Sequence, residues 1–234
     1  MRVNNLSILI TRPVNESLLN KMKLKGFDVD IIPFIETKII RTKEVETEIE
    51  NVLKLNTAVV FTSMNAVDAV AEHLQTTKPN WKIYCIGNTT KILIEKYFGS
   101  ASIAATADDA TALAKKIIAN NEKAEVYFFC GDKKRNELPG LLKKNKITLN
   151  EIEVYTTSII QHTIEKNYDA VLFFSPSAVD GFFKNNSVKQ EAVLFAIGNT
   201  TADEIKKFAS NKIIVSDKPG KENLVEKTVS FFEI

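Results

Sequence analysis

The stretch AVVFTSMNAVD at Ala58–Asp68 returns 112 residues later as AVLFFSPSAVD at Ala170–Asp180. A second pair, IGNTT at Ile86–Thr90 and again at Ile197–Thr201, repeats at an offset of 111 residues. In each copy a short apolar run leads into a polar turn, which is typical of a buried strand followed by a helix. Solenoids need at least three copies of a unit, so two long copies predict a duplicated domain.

Short apolar runs alternate with amphipathic stretches along the chain. Ser17–Lys25, for example, carries an apolar stripe at helical spacing and is followed by Gly26, a typical helix stop. Buried strands that alternate with helices form parallel sheets, so the pattern predicts an α/β fold. The predicted strands are Leu6–Ile10, Val29–Pro33, Ala58–Phe61, Lys82–Ile86, Val126–Cys130, Val171–Phe174, Val193–Ile197 and Lys212–Val215.

The repeated pieces alternate along the chain. A short unit at 1–34 and a long unit at 42–120 are followed by a second short unit at 124–150 and a second long unit at 164–234. We therefore expect one continuous domain at 42–150 and one discontinuous domain made of 1–34 and 162–234. The connecting segments, 35–41 and 151–161, are rich in β-branched and aromatic residues and lack helical spacing. We predict that they form a two-stranded antiparallel β linker, a hinge beside a cleft between the domains.

Composition bounds the function. Lys and Arg number 31 against 29 Asp and Glu, a balance unlike the strong basic surplus of nucleic-acid-binding domains. No apolar run approaches the roughly 20 residues that span a membrane, and the N-terminal residues do not resemble a signal peptide. Cys85 and Cys130 sit inside apolar runs and are expected to be buried, reduced thiols. We therefore expect a cytoplasmic protein that binds neither nucleic acid nor membrane.

Polar loops follow several predicted strands, where α/β proteins bind ligands. Ser175-Pro176 is a strong helix-start signal, and Ser63 holds the matching place in the other copy. The Gly-Asn-Thr-Thr turns are strand-to-helix connections, and Thr201 with Glu204 fits a capping box. These residues either cap helices or cradle an anion, and the two roles are compatible. The pattern favours a ligand with several carboxylates or phosphates, while the missing Gly-x-Gly-x-x-Gly motif argues against a nucleotide.

Familiar catalytic groupings are missing from the sequence. His73 and His162 are the only histidines, are expected at the surface, and show no metal-ligand spacing with the cysteines. Tyr155 lies on a predicted linker strand. Its phenol is either a proton donor at neutral pH or a packing group.

Seven motifs, in this order and spacing, resemble the uroporphyrinogen-III synthase family over essentially the whole chain. They are Thr11–Pro13, Phe61–Val67, Ile86–Thr90, Cys130–Pro139, Val154–Thr157, Phe174–Val179 and Ala196–Thr201. The resemblance implies two flavodoxin-like domains and a linear tetrapyrrole substrate, hydroxymethylbilane, which carries eight carboxylate side chains. It further implies loss of the terminal hydroxyl and ring closure with inversion of ring D, without a metal or organic cofactor.

The resemblance also assigns residues. Tyr155 matches the tyrosine proposed to help the hydroxyl leave, and Arg12 and Arg135 are candidate carboxylate partners, although Arg135 could serve its own helix. Asn65 is another expected substrate contact, and it stands in a Met-Asn pair where some members have Pro-Arg. The remaining expected substrate contacts are Ser63, Ala66, Gly87, Asn88, Thr89, Gly131, Ser175, Ser177, Ala178, Gly198, Thr200 and Thr201.

Two other functions stay open at this point. One is a non-catalytic, two-lobed module that binds a polyanionic small molecule, and the other is a regulatory paralogue that has lost activity. Nothing in the sequence demands an oligomer, so a monomer with possible transient contact to the upstream deaminase is expected.

Overall fold

The computed structural model describes residues 6–74, 78–120, 122, 125–218 and 220–233. The strands in chain order are β1 Ser7–Ile10, β2 Asp28–Ile31, β3 Ile35–Ile39, β4 Thr57–Phe61, β5 Trp81–Ile86, β6 Ile103–Ala107, β7 Val126–Gly131, β8 Leu149–Ile159, β9 Ala170–Phe173, β10 Val193–Ala196 and β11 Ile213–Val215. The helices are α1 Glu16–Leu24, α2 Lys43–Leu53, α3 Met64–Ala71, α4 Asn88–Phe98, α5 Ala110–Ala119, α6 Glu137–Lys144, α7 Pro176–Phe183, α8 Asn199–Ile205 and α9 Lys221–Phe232.

The chain folds into two compact units, and each has its own sheet. Unit 1 comprises Met1–Glu36 and Ser158–Ile234, and unit 2 comprises Thr37–Thr157. The breaks fall inside the two segments that we predicted as the linker. A mixed α/β fold with parallel sheets is confirmed. None of the helices among the described residues is long and apolar enough to cross a membrane.

The sheet of unit 1 has the order β11-β10-β9-β1-β2, and all its pairings are parallel. Numbered along the chain within the unit, the strands lie as 2-1-3-4-5, which is the flavodoxin-like order. In unit 2, the strand order β8-β7-β4-β5-β6 matches the order β2-β1-β9-β10-β11 of unit 1, strand for strand. The additional strand β3 lies at the edge of the sheet, next to β8. The repeat explains this correspondence, because β4 is the copy of β9 and β5 is the copy of β10.

Alternate residues of the central strands enter separate cores on the two faces of each sheet. Ile8 and Ile10 pack on one face of the unit 1 sheet and Leu9 packs on the other. In unit 2, Phe61 and Val60 divide in the same way. Burial on both faces explains why these strands read as unbroken apolar runs in the sequence.

The linker strands β3 and β8 are neighbours in the sheet order. Within unit 1, the Ile160 amide donates to the Phe34 carbonyl at 2.9 Å. Within unit 2, the Ile40 amide donates to the Val154 carbonyl at 3.0 Å. From Phe34 to Ile40 the first segment advances six residues, while the hydrogen-bond partners on the second segment go back six residues, from Ile160 to Val154. Partners that run in opposite directions are typical of an antiparallel pair. The role of these strands as a hinge stays a prediction.

The predicted strand set was incomplete because it omitted β6. This strand, Ile-Ala-Ala-Thr-Ala at Ile103–Ala107, is at the edge of the unit 2 sheet and is only half-buried. An edge strand with small side chains has no need of a strong apolar run, so the run-based criterion overlooked it.

Candidate functional site

Flavodoxin-like sheets bind ligands beyond the carboxyl ends of the strands at which the strand order reverses. In unit 1 these strands are β1 and β9, and in unit 2 they are β7 and β4. The loops that follow contain Arg12 and Ser175 in unit 1 and Ser63 in unit 2, and Gly131 is the last residue of β7 itself. The candidate residues therefore lie where the topology of each unit favours a ligand.

Buried Thr11 fixes the loop that carries Arg12. Its amide and its hydroxyl both donate to the Leu172 carbonyl, at 3.1 Å and 2.7 Å, which ties the end of β1 to β9. Arg12 follows directly and is half-buried. The loop then enters α1 through Asn15, whose side chain accepts a hydrogen bond from the Leu18 amide at 2.9 Å.

Ser63 and Ser175 are both helix N-caps, as predicted. The Ser175 hydroxyl accepts from the Ala178 amide at 3.2 Å, and the Ser63 hydroxyl accepts from the Asn65 amide at 3.2 Å. A hydroxyl that accepts a hydrogen bond keeps its own proton for donation. Each serine can therefore cap its helix and donate to an anion at the same time.

Of the residues that follow the two N-caps, some lie beside the candidate site and others belong to the hydrophobic cores. Ser177 and Asn65 are half-buried beside the caps. Ala178 and Ala66 are buried, so their methyl groups belong to the cores and they can face a ligand only through the backbone.

Gly87 and Gly198 begin helices α4 and α8 without any side-chain cap. A Cβ placed on either glycine would find no atom within 4 Å, so close packing requires neither of them. Gly87 has a φ of 80°, which favours glycine, whereas Gly198 has an extended φ of −174°. Neither the backbone dihedral angles nor close packing therefore explains why residue 198 is a glycine. The close approach of a ligand to the backbone would explain it.

The residues after these glycines are exposed first and buried next. Asn88 and Thr89 are exposed in unit 2, as are Asn199 and Thr200 in unit 1. The first amides of a helix lie beyond its own hydrogen-bond ladder and carry partial positive charge. These exposed first turns can therefore accept anionic groups.

The predicted capping box at Thr201 is wrong. Helix α8 begins at Asn199 with Gly198 as its cap, so Thr201 lies inside the helix. Its side chain is 2 % exposed and faces the core, and its amide donates to the Gly198 carbonyl at 3.1 Å. Glu204 instead pairs with Lys207 at 2.7 Å. The sequence pattern was misleading because the helix starts three residues earlier than a Thr201 cap requires.

Tyr155 is half-buried in the middle of β8, and its ring lies against Gly131 at the end of β7. These two predicted site residues are therefore direct neighbours. Arg135, the other predicted cation of this region, is exposed, and its Nη1 is 3.9 Å from Glu137 in the first turn of α6. That position supports the alternative that Arg135 serves its own helix.

Lys134, the neighbour of Arg135 in the sequence, forms ion pairs with two carboxylates of β8. Its ammonium group is 2.7 Å from Glu153 and 3.3 Å from Glu151. The hydrogen bond to Glu153 is the main cause that raises the pKa of Lys134. The charge of Lys134 is therefore neutralised by the glutamates of β8, and we do not assign this lysine to ligand binding.

Lys221, the first residue of α9, was missed by the sequence analysis. Its Nζ donates to the Pro13 carbonyl at 2.9 Å, which places it at the loop of Arg12. Partial burial lowers the pKa of Lys221, and the nearby Arg12 charge lowers it further. A cation is unfavourable both beside another cation and at a helix N-terminus. The Glu222 carboxylate in the same turn offsets part of this cost, and an anionic ligand would offset more.

The cysteines and histidines do not form a reactive group. Cys85 and Cys130 are buried and free, and burial raises the pKa of their thiols to about 11 and about 12. We predicted both histidines at the surface, and both are half-buried. The Nε2 of His162 is 3.1 Å from the Pro33 carbonyl oxygen, and its ring packs edge-on against Phe34. In the part of the chain that is described, no three His, Cys, Asp or Glu side chains are grouped to hold a metal ion.

Comparison with known proteins gives one consistent result. The family model described as uroporphyrinogen-III synthase HemD matches residues 16–226. The uroporphyrinogen-III synthase of Schizosaccharomyces pombe is 22% identical over an alignment of 229 residues, and the match covers 89% of this chain and 89% of that protein.

Solved structures agree at the level of the fold. A mutant uroporphyrinogen III synthase from the extremely thermophilic bacterium Thermus thermophilus aligns with a TM-score of 0.69 at 13% identity, covering 97% of this chain and 98% of that one. The uroporphyrinogen-III synthetase of Helicobacter pylori 26695 aligns with a TM-score of 0.67 at 19% identity, covering 97% and 99%.

Proposed function

This chain belongs to the uroporphyrinogen-III synthase family, and we propose that it converts hydroxymethylbilane to uroporphyrinogen III in haem biosynthesis. The observation that carries the proposal is a family match over residues 16–226, combined with paired polar loops at the ligand-binding edge of both sheets.

The loops suit a substrate with many carboxylates. Ser63 and Ser175 keep hydroxyl protons to donate, and the backbone before α4 and α8 is open at Gly87 and Gly198. Hydrogen bonds from backbone amides and hydroxyls to ionised acceptors are stronger than bonds between neutral groups. Arg12 and Lys221 add positive charge at the same edge of unit 1. This arrangement supports the eight-carboxylate substrate over a neutral one.

The chemical step needs little acid–base assistance. The pyrrole nitrogen of the substrate pushes electrons toward the hydroxymethyl carbon, so the C–O bond breaks once the hydroxyl receives a proton. One water leaves, and the resulting azafulvene carbon bonds to the substituted carbon of ring D. The bond from that ring-D carbon to its original methylene bridge then breaks, and the freed methylene carbon bonds to the unsubstituted α-carbon of ring D. That α-carbon loses its proton, so ring D is inverted and the net change is the loss of one water. We assign the proton donor to Tyr155, because a phenol is a side chain that can donate a proton to a leaving hydroxyl.

Isomer choice is the harder task for the enzyme. Without guidance the substrate closes to the isomer in which ring D is not inverted. Holding the chain so that the substituted ring-D carbon is attacked is a problem of orientation, and binding contacts alone can solve it. Each unit has loops that suit anionic groups, and the only proton donor that we assign among the described residues is Tyr155. This composition fits a reaction that is controlled mainly by orientation. The buried, free thiols of Cys85 and Cys130 support a reducing, cytoplasmic setting for this reaction.

A coupled assay tests the function. The upstream deaminase generates hydroxymethylbilane in the presence of this protein, and the oxidised porphyrins are separated into isomers I and III. We expect mainly isomer III without any added cofactor. Isomer I at the uncatalysed rate would contradict the proposal and would favour a non-catalytic binding module.

A further inference from the structure

The pairing of β7 with β8 contains an irregularity at Tyr155. From Val126 to Cys130 each residue of β7 faces the next residue of β8, ending with Cys130 opposite Glu153. The next pair is Gly131 with Tyr155, so Val154 is an extra residue on β8. Such a bulge changes the direction of the side chains that follow it.

The bulge places two successive side chains on one face. In a regular strand, neighbouring residues point to opposite faces of the sheet. Val154 and Tyr155 instead both pack with the unit 2 core that contains Val59 and Phe61. The bulge has therefore turned Tyr155 away from the face that regular alternation would give it.

Gly131 makes room for the redirected ring. A Cβ on Gly131 would lie 2.8 Å from the Tyr155 hydroxyl oxygen and closer still to the ring carbons Cζ and Cε2. Contacts this short are not tolerated, so any side chain at 131 would displace the phenol. The backbone at Gly131 does not have a positive φ, and the nearness of the ring is therefore what explains glycine here.

Asp132 holds the strand behind the ring. Its amide donates to the Tyr155 carbonyl at 3.1 Å, and its Oδ1 accepts from the Thr157 amide at 2.8 Å. One residue thus pins β8 on both sides of Thr156. These two bonds continue the pairing of β7 with β8 past the bulge, where the ladder would otherwise be free to slip.

We propose that Gly131 and Asp132 are positioning residues for the Tyr155 phenol, Gly131 by admitting the ring and Asp132 by fixing the bulged strand. Gly131 then acts through Tyr155 rather than through a contact of its own with the substrate. This inference rests on the proposed function, in which Tyr155 donates the proton.

Gly131→Ala, with Gly140→Ala as its matched control, tests the inference. Gly140 lies on α6 of the same unit, and a Cβ there would meet nothing within 4 Å. We expect Gly131→Ala to lower kcat about 10- to 100-fold with little change in KM, because small displacements of a reacting group cost rates of that order. Gly140→Ala should match the wild type.

A double mutant separates positioning from substrate contact. If Gly131 acts through the phenol, Gly131→Ala should cost little more once Tyr155→Phe has removed the hydroxyl. Losses that multiply in the double mutant would assign Gly131 to the substrate and overturn the inference. Unchanged kinetics of Gly131→Ala, in a protein that still makes isomer III, would overturn it while leaving the proposed function intact.

Asp132 provides a second variant in case Gly131→Ala folds poorly. Asp132→Asn keeps an oxygen acceptor for the Thr157 amide and should retain kcat, whereas Asp132→Ala should lower it about tenfold. Labelling the five tyrosines with 3-fluorotyrosine gives a readout that does not depend on activity. The ¹⁹F resonance that disappears in Tyr155→Phe should shift in Gly131→Ala and Asp132→Ala, but not in Gly140→Ala. A resonance that stays in place in both variants would overturn the inference.

Discussion

Lys221 donates a hydrogen bond from Nζ to the carbonyl oxygen of Pro13 at 2.9 Å, across 208 residues of sequence. The bond brings the first turn of α9 to the loop that follows β1, where Arg12 lies. The two cations share one edge of the unit 1 sheet, and their repulsion contributes to the lowered pKa of Lys221.

Lys221→Met should weaken substrate binding. A charge-assisted hydrogen bond to a carboxylate is worth about 1.5 kcal/mol or more, so KM should rise about tenfold with kcat nearly unchanged. Steady-state kinetics with hydroxymethylbilane measures this directly. Lys218→Met is the control, because Lys218 is exposed three residues before Lys221, and it should leave KM as it is. Equal KM values for wild type and Lys221→Met would remove Lys221 from the site.

Ser175→Asp should separate the capping role of this serine from its role at the site. Aspartate is a good N-cap, so thermal stability should be retained, whereas Ser175→Ala should lose about 1 kcal/mol. The new negative charge should repel the carboxylates of the substrate and raise KM.

Ser175→Asn is the matched control for charge, since asparagine also caps helices but is neutral. It should bind substrate better than Ser175→Asp. If the two variants had the same KM, the α7 N-terminus would not face the carboxylates.

Asp169 should make unit 1 sensitive to acid. Burial by itself raises the pKa of Asp169, but hydrogen bonds from Lys189 at 2.6 Å and from Ser7 at 2.8 and 2.9 Å outweigh it and lower the pKa. A lowered pKa in the folded state stabilises the fold above the unfolded value, near 3.9, and the gain disappears as pH falls through the folded value.

Asp169→Asn should therefore destabilise the protein by about 1–3 kcal/mol at pH 7, and the difference should shrink in acid. Denaturant unfolding at pH 7 and below pH 4 measures both quantities. Asp217→Asn is the control, because Asp217 forms an exposed pair with Lys227 and such pairs contribute little. A loss for Asp169→Asn that did not depend on pH would contradict the account.

The sequence predicted the architecture well because the repeat and the apolar runs reflect burial on both faces of parallel sheets. It also located the paired caps, since Ser175-Pro176 is a local signal that needs no tertiary information. The edge strand β6 was not predicted from the sequence, because its small residues bury little surface and form no strong apolar run. The capping box at Thr201 failed because several positions near a helix start fit the same pattern.

Other features depend on contacts that no local pattern encodes. The bulge before Tyr155 follows from the register of β8 against β7, and the ring's place over Gly131 follows from that bulge. The nearness of Lys221 to Pro13 is a tertiary consequence of the way α9 returns to the first strand. A lysine at the start of a helix, where positive charge is disfavoured, was the one available hint.

The most direct test of the account is the amount of isomer III formed when hydroxymethylbilane is in large molar excess over the protein. Comparing wild type with Tyr155→Phe, after subtracting the uncatalysed isomer I, separates turnover from isomer choice. We predict that wild type forms far more isomer III than the protein present. Tyr155→Phe should still form isomer III, but at a rate lower by about 100-fold, as expected for the loss of a general acid. Isomer III that never exceeds the amount of protein, or a Tyr155→Phe rate equal to wild type, would contradict the account.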